Sequence, residues 1–459
     1  MDIEEKTFDD TVEEIIELLE NRQYRSAREE ILKNNGVDAA EILEEIIEEL
    51  GIKIAIVIFR MLPKDMSVEV FSYLTIDDLI DIMIGITDVE LSYIIDELDF
   101  DDKIDVLEEL PANIVDKILE KSTKAERKLI NTFLNYPDDC AGSLMTPEYI
   151  SLQGSMTVRE ALKHIKNEGM DSETVYTCYV KSGGRKLEGI VSLRTLVISD
   201  DDALISDLMH TDFVDVNVYD DQEEVSDAFM KYGFLAIPVV DNEGRLVGIV
   251  TVDDIMDVIE EEATEDIERM AGVLSDDDDR EYLDISVWGH IKSRIMWLTL
   301  MMFTAMITGG ILGAFEDMLT PTLVCYIPLL MGTSGNAGNQ AATLVTRGIA
   351  VGDLDTDDVF KILWKEFRIS IGICLVLASI NFIKVLVIDR VDITTAVIIN
   401  LSLVIIVIIA KMLGGLIPMA AKKLGIDPAL VANPLLTSLS DMISVVTYFA
   451  IASLMLTNV

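Results

Sequence analysis

Ile295–Ala314 is a run of 20 residues without a charge. That is about the ~20 residues an α-helix needs to cross the hydrocarbon core of a bilayer. Four similar runs follow: Leu319–Thr346, Ile369–Ile388 with Lys384, Ile393–Ala421 with Lys411, and Pro428–Val459 with Asp441. In lipid the backbone must satisfy its own hydrogen bonds, which restricts these runs to helices. Five spans put the two ends of this region on opposite sides of the membrane. Loop charge decides which. Arg347, Lys361, Lys365 and Arg368 lie between runs two and three, and Lys422 and Lys423 between runs four and five. The opposite loops offer Lys384 and Arg390. The positive-inside rule therefore predicts a cytosolic N-terminal side and a C-terminus outside, in a multi-pass cell (inner) membrane protein. The loop Asp353–Arg368 interleaves charge with Leu354, Phe360 and Trp364. It reads equally as an amphipathic helix on the inner interface or as a short loop helix.

Net charge obeys the same division. Residues 1–286 hold 71 acids and 25 bases, whereas 287–459 hold 11 of each, so the formal charge of −46 sits entirely ahead of the spans. A field of that sign repels phosphate backbones and excludes nucleic acid as a partner. The four cysteines form no CxxC pair, which argues against a disulfide framework or zinc site. MDIEEKTFDD has no apolar core, so no cleaved signal peptide is expected.

The last span carries Asn433, Thr437 and Asp441 at i, i+4 and i+8, with Ser444 and Tyr448 continuing the stripe. All present oxygen on one helical face. A carboxylate at mid-membrane is costly unless a cation or water compensates it, and Pro434 is expected to free backbone carbonyls beside it. PLLMGTSGNAGNQ, from Pro328, adds Asn336, Asn339 and Gln340, with glycines that admit close helix approach. Oxygen ligands without His or Cys suit a hard cation, Mg²⁺ above all. One carboxylate per chain would match a divalent charge if two chains shared a pore.

Ahead of the spans, Leu62, Leu74, Ile86, Leu98 and Leu110 recur every 12 residues, each followed by a turn or cap residue. Thr87 with Glu90, and Thr123 with Glu126, have capping-box spacing. Short helices stacked as a superhelix are predicted. Further on, Leu144-Met145 recurs as Leu208-Met209, and LEGIVSLRTLV recurs as LVGIVTVDDIM. The two copies resemble a tandem pair of cystathionine-β-synthase-type (CBS) domains, a resemblance that implies adenosine-nucleotide binding or ion sensing. Thr251 and Asp254 match that family's ribose-contacting positions, with ATP the candidate nucleotide; in the first copy Thr195 stands at the Asp position. Then DDIMDVIEEEATEDIERM, from Asp253, has no Gly or Pro. It reads as one long helix that stacks Asp254, Asp257, Glu261, Glu265 and Glu268, an arrangement that repels itself without a counterion.

Four separated segments, YPDDCAGSLMTPEY, GIVTVDDIMDVIEEEATEDI, PLLMGTSGNAGNQ and DPALVANPLLTSLSDMISVVTYF, resemble the MgtE family of magnesium channels and transporters over essentially the whole chain. Met442-Ile443-Ser444 departs from the small residues expected after the aspartate. The resemblance implies a multidomain protein: an all-α superhelical N-domain (1–138), an α/β CBS pair (139–257, as 139–200 and 205–257), a connecting plug helix with acidic linker (258–286) and a five-helix transmembrane domain (287–459). It implies a homodimer in the bilayer with one shared pore, a selectivity aspartate at Asp441, and cytosolic Mg²⁺ closing the pore through Asp254, Asp257, Glu262, Glu265 and Asp266. No Walker loop appears, and no enzyme activity is expected. The alternatives are transport of another divalent ion such as Co²⁺ or Mn²⁺, or a CBS-regulated anion channel, which a pore carboxylate opposes.

Overall fold

The computed structural model describes residues 7–170, 172–274, 282–283, 285–316 and 320–456; the side chains of residues 76, 77, 88, 109, 113, 117 and 431–433 lie outside that description. The chain forms two compact units, Met1–Val258 and Ile259–Val459.

In the first unit the 12-residue period becomes a row of helices. Lys64–Ser72, Ile76–Gly85, Asp88–Glu97, Phe100–Glu109, Ala112–Lys121 and Lys124–Phe133 each begin 12 residues after the last. The recurring Leu62, Leu74, Ile86, Leu98 and Leu110 are all buried. Thr87 and Glu90 exchange both hydrogen bonds of a capping box, as do Thr123 and Glu126. Such N-terminal caps contribute about 1 kcal/mol each, which helps helices this short to begin where they do.

The repeat beyond them folds as two small sheets of the same design. β1 (Tyr149–Leu152) pairs parallel with β2 (Thr174–Lys181), which pairs antiparallel with β3 (Leu187–Ser192). β4 (Val216–Asn217), β5 (Ala236–Val240) and β6 (Leu246–Thr251) repeat the scheme. The halves are interlocked. Thr146 of the first copy bridges Ile249 of β6, and His210 of the second-copy Leu-Met segment bridges Ile190 of β3. Glycine makes this crossing possible. A Cβ on Gly248 would fall 2.8 Å from the Thr146 carbonyl oxygen, and one on Gly189 would fall 2.9 Å from that of His210.

The connecting helix, Val252–Ala271, begins directly after β6. It is one unbroken helix, as its lack of Gly and Pro predicts.

Five long helices dominate the second unit among the described residues: Val287–Ala314, Ile327–Ala350, Val359–Ile383, Ile393–Leu424 and Pro428–Leu456, the first to fifth membrane helices below. Four pass as apolar spans by length and composition; Ile327–Ala350 is the polar exception. No separate interfacial helix forms after it. A 3₁₀ turn at Thr356–Asp358 leads straight into Val359–Ile383, so Phe360 and Trp364 sit exposed on the first turns of the third membrane helix. The fifth helix runs on through Pro434 without a break. Buried polar pairs join the third and fourth helices: Lys411 Nζ lies 3.5 Å from Glu366 Oε2, and Asn381 Nδ2 donates to Asn400 Oδ1 at 3.1 Å.

Candidate ion pathway and carboxylate clusters

The second and fifth membrane helices meet through small residues. A Cβ on Gly335 would touch Thr437 at 3.8 Å, and one on Gly338 would lie 3.1 Å from Leu436. This approach brings two of the sequence-predicted polar residues together. Asn339 Nδ2 donates to Thr437 Oγ1 at 3.3 Å. Asp441 follows one turn later, half-buried, while Asn336, Gln340 and Thr437 are exposed. Ser444 departs from the set: it is buried and donates to the Ser440 carbonyl at 2.6 Å. Pro434 is buried too, and the side chain of Asn433 lies outside the described residues. Thr304 of the first helix, which donates to Ser438 Oγ at 2.8 Å, was not legible in the stripe. The buried lysine of the fourth helix is committed to Glu366.

The acids ahead of the membrane helices divide into two groups. In the first unit, Asp254 accepts from Thr251 Oγ1 at 2.6 Å. Burial, reinforced by Asp253 and Asp257, pushes its carboxyl up to about 6. The acids facing it come from the helix Phe100–Glu109. Burial, then Asp254 and Glu173, push Asp101 up to about 9; burial, then Asp99 and Asp254, push Asp102 up to about 6. Glu173 is raised to about 7 by burial and by Asp99, Asp253 and Asp254. Carboxyl oxygens of Asp99, Glu148 and Glu173 come within 4.8 Å of one another. Like charges desolvated together favour protonation or a bound cation. This set has the oxygen-only chemistry of a hard-ion site. Asp257 is exposed at its edge.

Glu265 and Asp266 belong to a different neighbourhood. Arg269, one turn on, pairs with Glu265 and also reaches Asp427 Oδ2 at 2.9 Å. Burial raises the Asp266 carboxyl, Asp427 and Glu262 add to the rise, and Arg269 opposes it. Asp427 caps the fifth membrane helix by accepting from the Ala429 N–H at 2.7 Å.

Several of these residues escaped sequence reasoning. Asp99, Asp101 and Asp102 lie far along the chain from Glu148, Glu173 and Asp254, and no spacing links the groups. Asp427 carried one usable signal, an Asp-Pro pair at a helix start.

Comparison with known proteins covers nearly all of this architecture. Residues 327–451 match the MgtE model, described as a divalent cation transporter; residues 37–139 match the MgtE intracellular N domain, and 141–200 and 205–261 each match the CBS domain. The magnesium transporter MgtE of Thermus thermophilus is 36% identical over 95% of this chain and 99% of its own. That of Bacillus subtilis is 31% identical over 98% of each. Among solved structures, the cytosolic domain of the Mg²⁺ channel MgtE in complex with ATP aligns with a TM-score of 0.50 at 32% identity, covering 54% of this chain and 99% of that one.

Proposed function

The chain belongs to the MgtE family of divalent cation transporters, and from that premise we propose that it is a Mg²⁺-selective channel for magnesium uptake, closed by Mg²⁺ in the cytosol. The anion-channel alternative is set aside with the family. The observation that carries the transport reading is the polar surface of the fifth membrane helix. There the half-buried carboxylate of Asp441 follows one turn after the Asn339–Thr437 pair, and the nearby span's lysine is already taken by Glu366. A homodimer sharing one pore would set two copies of Asp441 against a divalent charge. Mg²⁺ sheds its water reluctantly, so two carboxylates and neutral amide and hydroxyl groups suit the hydrated ion.

Gating follows by linkage: a ligand that binds one conformation better shifts the population toward it. Asp254 and Asp257, together with Asp99, Asp101, Asp102, Glu148 and Glu173, form the proposed sensor in the first unit. Glu262, Glu265 and Asp266 form a second sensing segment on the connecting helix, which runs unbroken from one unit to the other. Without Mg²⁺ these groups repel one another, and with it their closed arrangement is held. ATP is the second proposed cytosolic ligand. Thr251 and Asp254 are already joined by a hydrogen bond, so a bound ribose would share the Asp254 carboxylate with the Mg²⁺ sensor. The charge pattern that orients the spans supports a cytosolic first unit and a C-terminus outside, in the cell membrane.

The test is an inside-out patch recording with Mg²⁺ in the pipette. Wild type is expected to conduct at low bath Mg²⁺ and to close as bath Mg²⁺ rises. Asp441→Ala should abolish the current while the protein still assembles. Mg²⁺ current through that variant, or Co²⁺ or Mn²⁺ carried in preference to Mg²⁺, would refute the assignment.

A further inference from the structure

We propose that Arg269 is a tethered cation that latches the connecting helix to the mouth of the fifth membrane helix, supplying part of the positive charge that closure otherwise draws from Mg²⁺. The inference rests on the gating reading above and deepens it.

Three observations in the second unit carry it. The carboxylate of Asp427 is divided between two tasks. Its Oδ1 accepts from the Ala429 N–H at 2.7 Å and so caps the fifth membrane helix, while its Oδ2 accepts from Arg269 Nη1 at 2.9 Å. Arg269 therefore grips the helix by its cap. The other terminal nitrogen, Nη2, pairs with Glu265 one turn earlier on the connecting helix. That second bond aims the planar guanidinium, a fork suited to two carboxylates at once.

The backbone beyond Arg269 is seated as well. Gly272 has φ +73°, and a Cβ there would lie 3.4 Å from Pro434 of the fifth membrane helix and 3.5 Å from both Met301 and Trp297 of the first. Two residues on, the Leu274 N–H donates to the Ser293 carbonyl at 2.9 Å. The end of the connecting helix thus rests on the first membrane helix and on the fifth, the one that Asp427 caps.

Charge completes the argument. Four carboxylates lie near this place: Glu265 and Asp427 pair with Arg269 itself, and Glu262 and Asp266 stand on the same two turns of the connecting helix. One guanidinium cannot neutralise four carboxylates, but it lowers by one the charge that divalent ions must supply. Closure at this contact then retains some hold when Mg²⁺ is absent. It also needs less Mg²⁺ than an all-carboxylate contact would. Arg269 and Asp427 are each about a third exposed (36% and 31%), so water screens the pair without abolishing it.

The experiment is the patch recording on the full-length channel, comparing wild type with Arg269→Gln, Arg269→Lys, Asp427→Asn and the double variant Arg269→Gln/Asp427→Asn. Arg269→Gln should raise the current at nominally zero bath Mg²⁺ and raise the inhibitory Mg²⁺ midpoint about two- to fivefold, the size of one part-exposed ion pair. Arg269→Lys should restore part of the shift. In the Asp427→Asn background the Arg269→Gln change should add little, because the two residues act on one another. Equal basal current and an equal midpoint in wild type and Arg269→Gln would overturn the latch and leave Mg²⁺ gating intact. A midpoint shifted downward would overturn it too, since the guanidinium would then be repelling the inhibitory ion. A wild type that bath Mg²⁺ fails to close would refute the gating reading, and the basal currents alone would then decide the latch. If Arg269→Gln does not assemble, Arg269→Lys against Asp427→Asn provides the same comparison.

Discussion

Gly414 lies so close to Gly338 that a Cβ added to it would fall 2.3 Å from the Gly338 carbonyl oxygen and 2.9 Å from the Ala341 side chain. The second and fourth membrane helices therefore touch backbone to backbone. Glycine at this crossing lets them do so, as at other close helix contacts in membranes.

Gly414→Ala is expected to force the two helices apart, because the obstacle is main chain and cannot swing aside. Overpacking a close contact costs about 1–3 kcal/mol. A drop in the melting temperature of the detergent-solubilised protein, with reduced current, is the expected outcome. Gly372→Ala is the control, since a Cβ there meets nothing within 4 Å. Equal loss in both variants would show that the crossing is not special.

Lys411 and Glu366 are 5% and 8% exposed in their side chains, and the pair is buried between the third and fourth membrane helices. Removing one partner strands a charge, which costs roughly 3–5 kcal/mol in buried pairs. Lys411→Met alone and Glu366→Met alone should both reduce the yield of folded protein. Lys411→Met with Glu366→Met should recover most of it, because two apolar side chains leave no charge behind. A double variant as damaged as either single one would mean that the charges are needed for more than each other.

The acids of the first unit make a pH prediction with a definite sign. Folded-state values for Asp101, Glu173, Asp102 and Asp254 are raised to about 9, 7, 6 and 6. The folded state thus binds more protons than the unfolded chain over the range from about 4 to 9, so stability falls as pH rises through that range. In chelator, thermal unfolding of the first unit within the full-length protein should come at a lower temperature at pH 8 than at pH 5.5. Added Mg²⁺ should stabilise it more at pH 8, where Glu173, Asp102 and Asp254 have largely lost their protons and protons compete less for the oxygens. By the same competition, the inhibitory Mg²⁺ concentration in patch recordings should be higher at cytosolic pH 5.5 than at pH 8. A midpoint independent of pH would exclude these residues from the sensor.

Local patterns carried most of the architecture into view before any coordinates. Long apolar runs with at most one charge located the membrane helices, a 12-residue apolar period located the six helices from Lys64 to Phe133, and Thr87 with Glu90 marked a helix start that the structure confirms bond for bond. The third membrane helix was misjudged at its beginning. Charges at Lys361, Lys365, Glu366 and Arg368 made its first three turns look like a separate element, yet no residue between Val359 and Ile383 breaks the helix. Pairings over long separations left no such trace. Arg269 and Asp427 are 158 residues apart, and a solitary arginine at the end of an acidic run reads as its counterion, with nothing to mark a distant carboxylate as its partner. Asp101 beside Asp254 was hidden for the same reason. Acidic residues are plentiful in this chain, and the few that matter are distinguished by desolvation, which only packing creates.

The interlocked sheets have a bearing on how this middle region can be divided. Gly248 is held open for Thr146 and Gly189 for His210, so each copy of the duplication finishes the other's edge. A fragment carrying one copy would present a bare strand and an orphaned Leu-Met segment. The two copies are therefore one structural unit: each supplies the segment that closes the other's sheet, and neither is complete when cut from its neighbour.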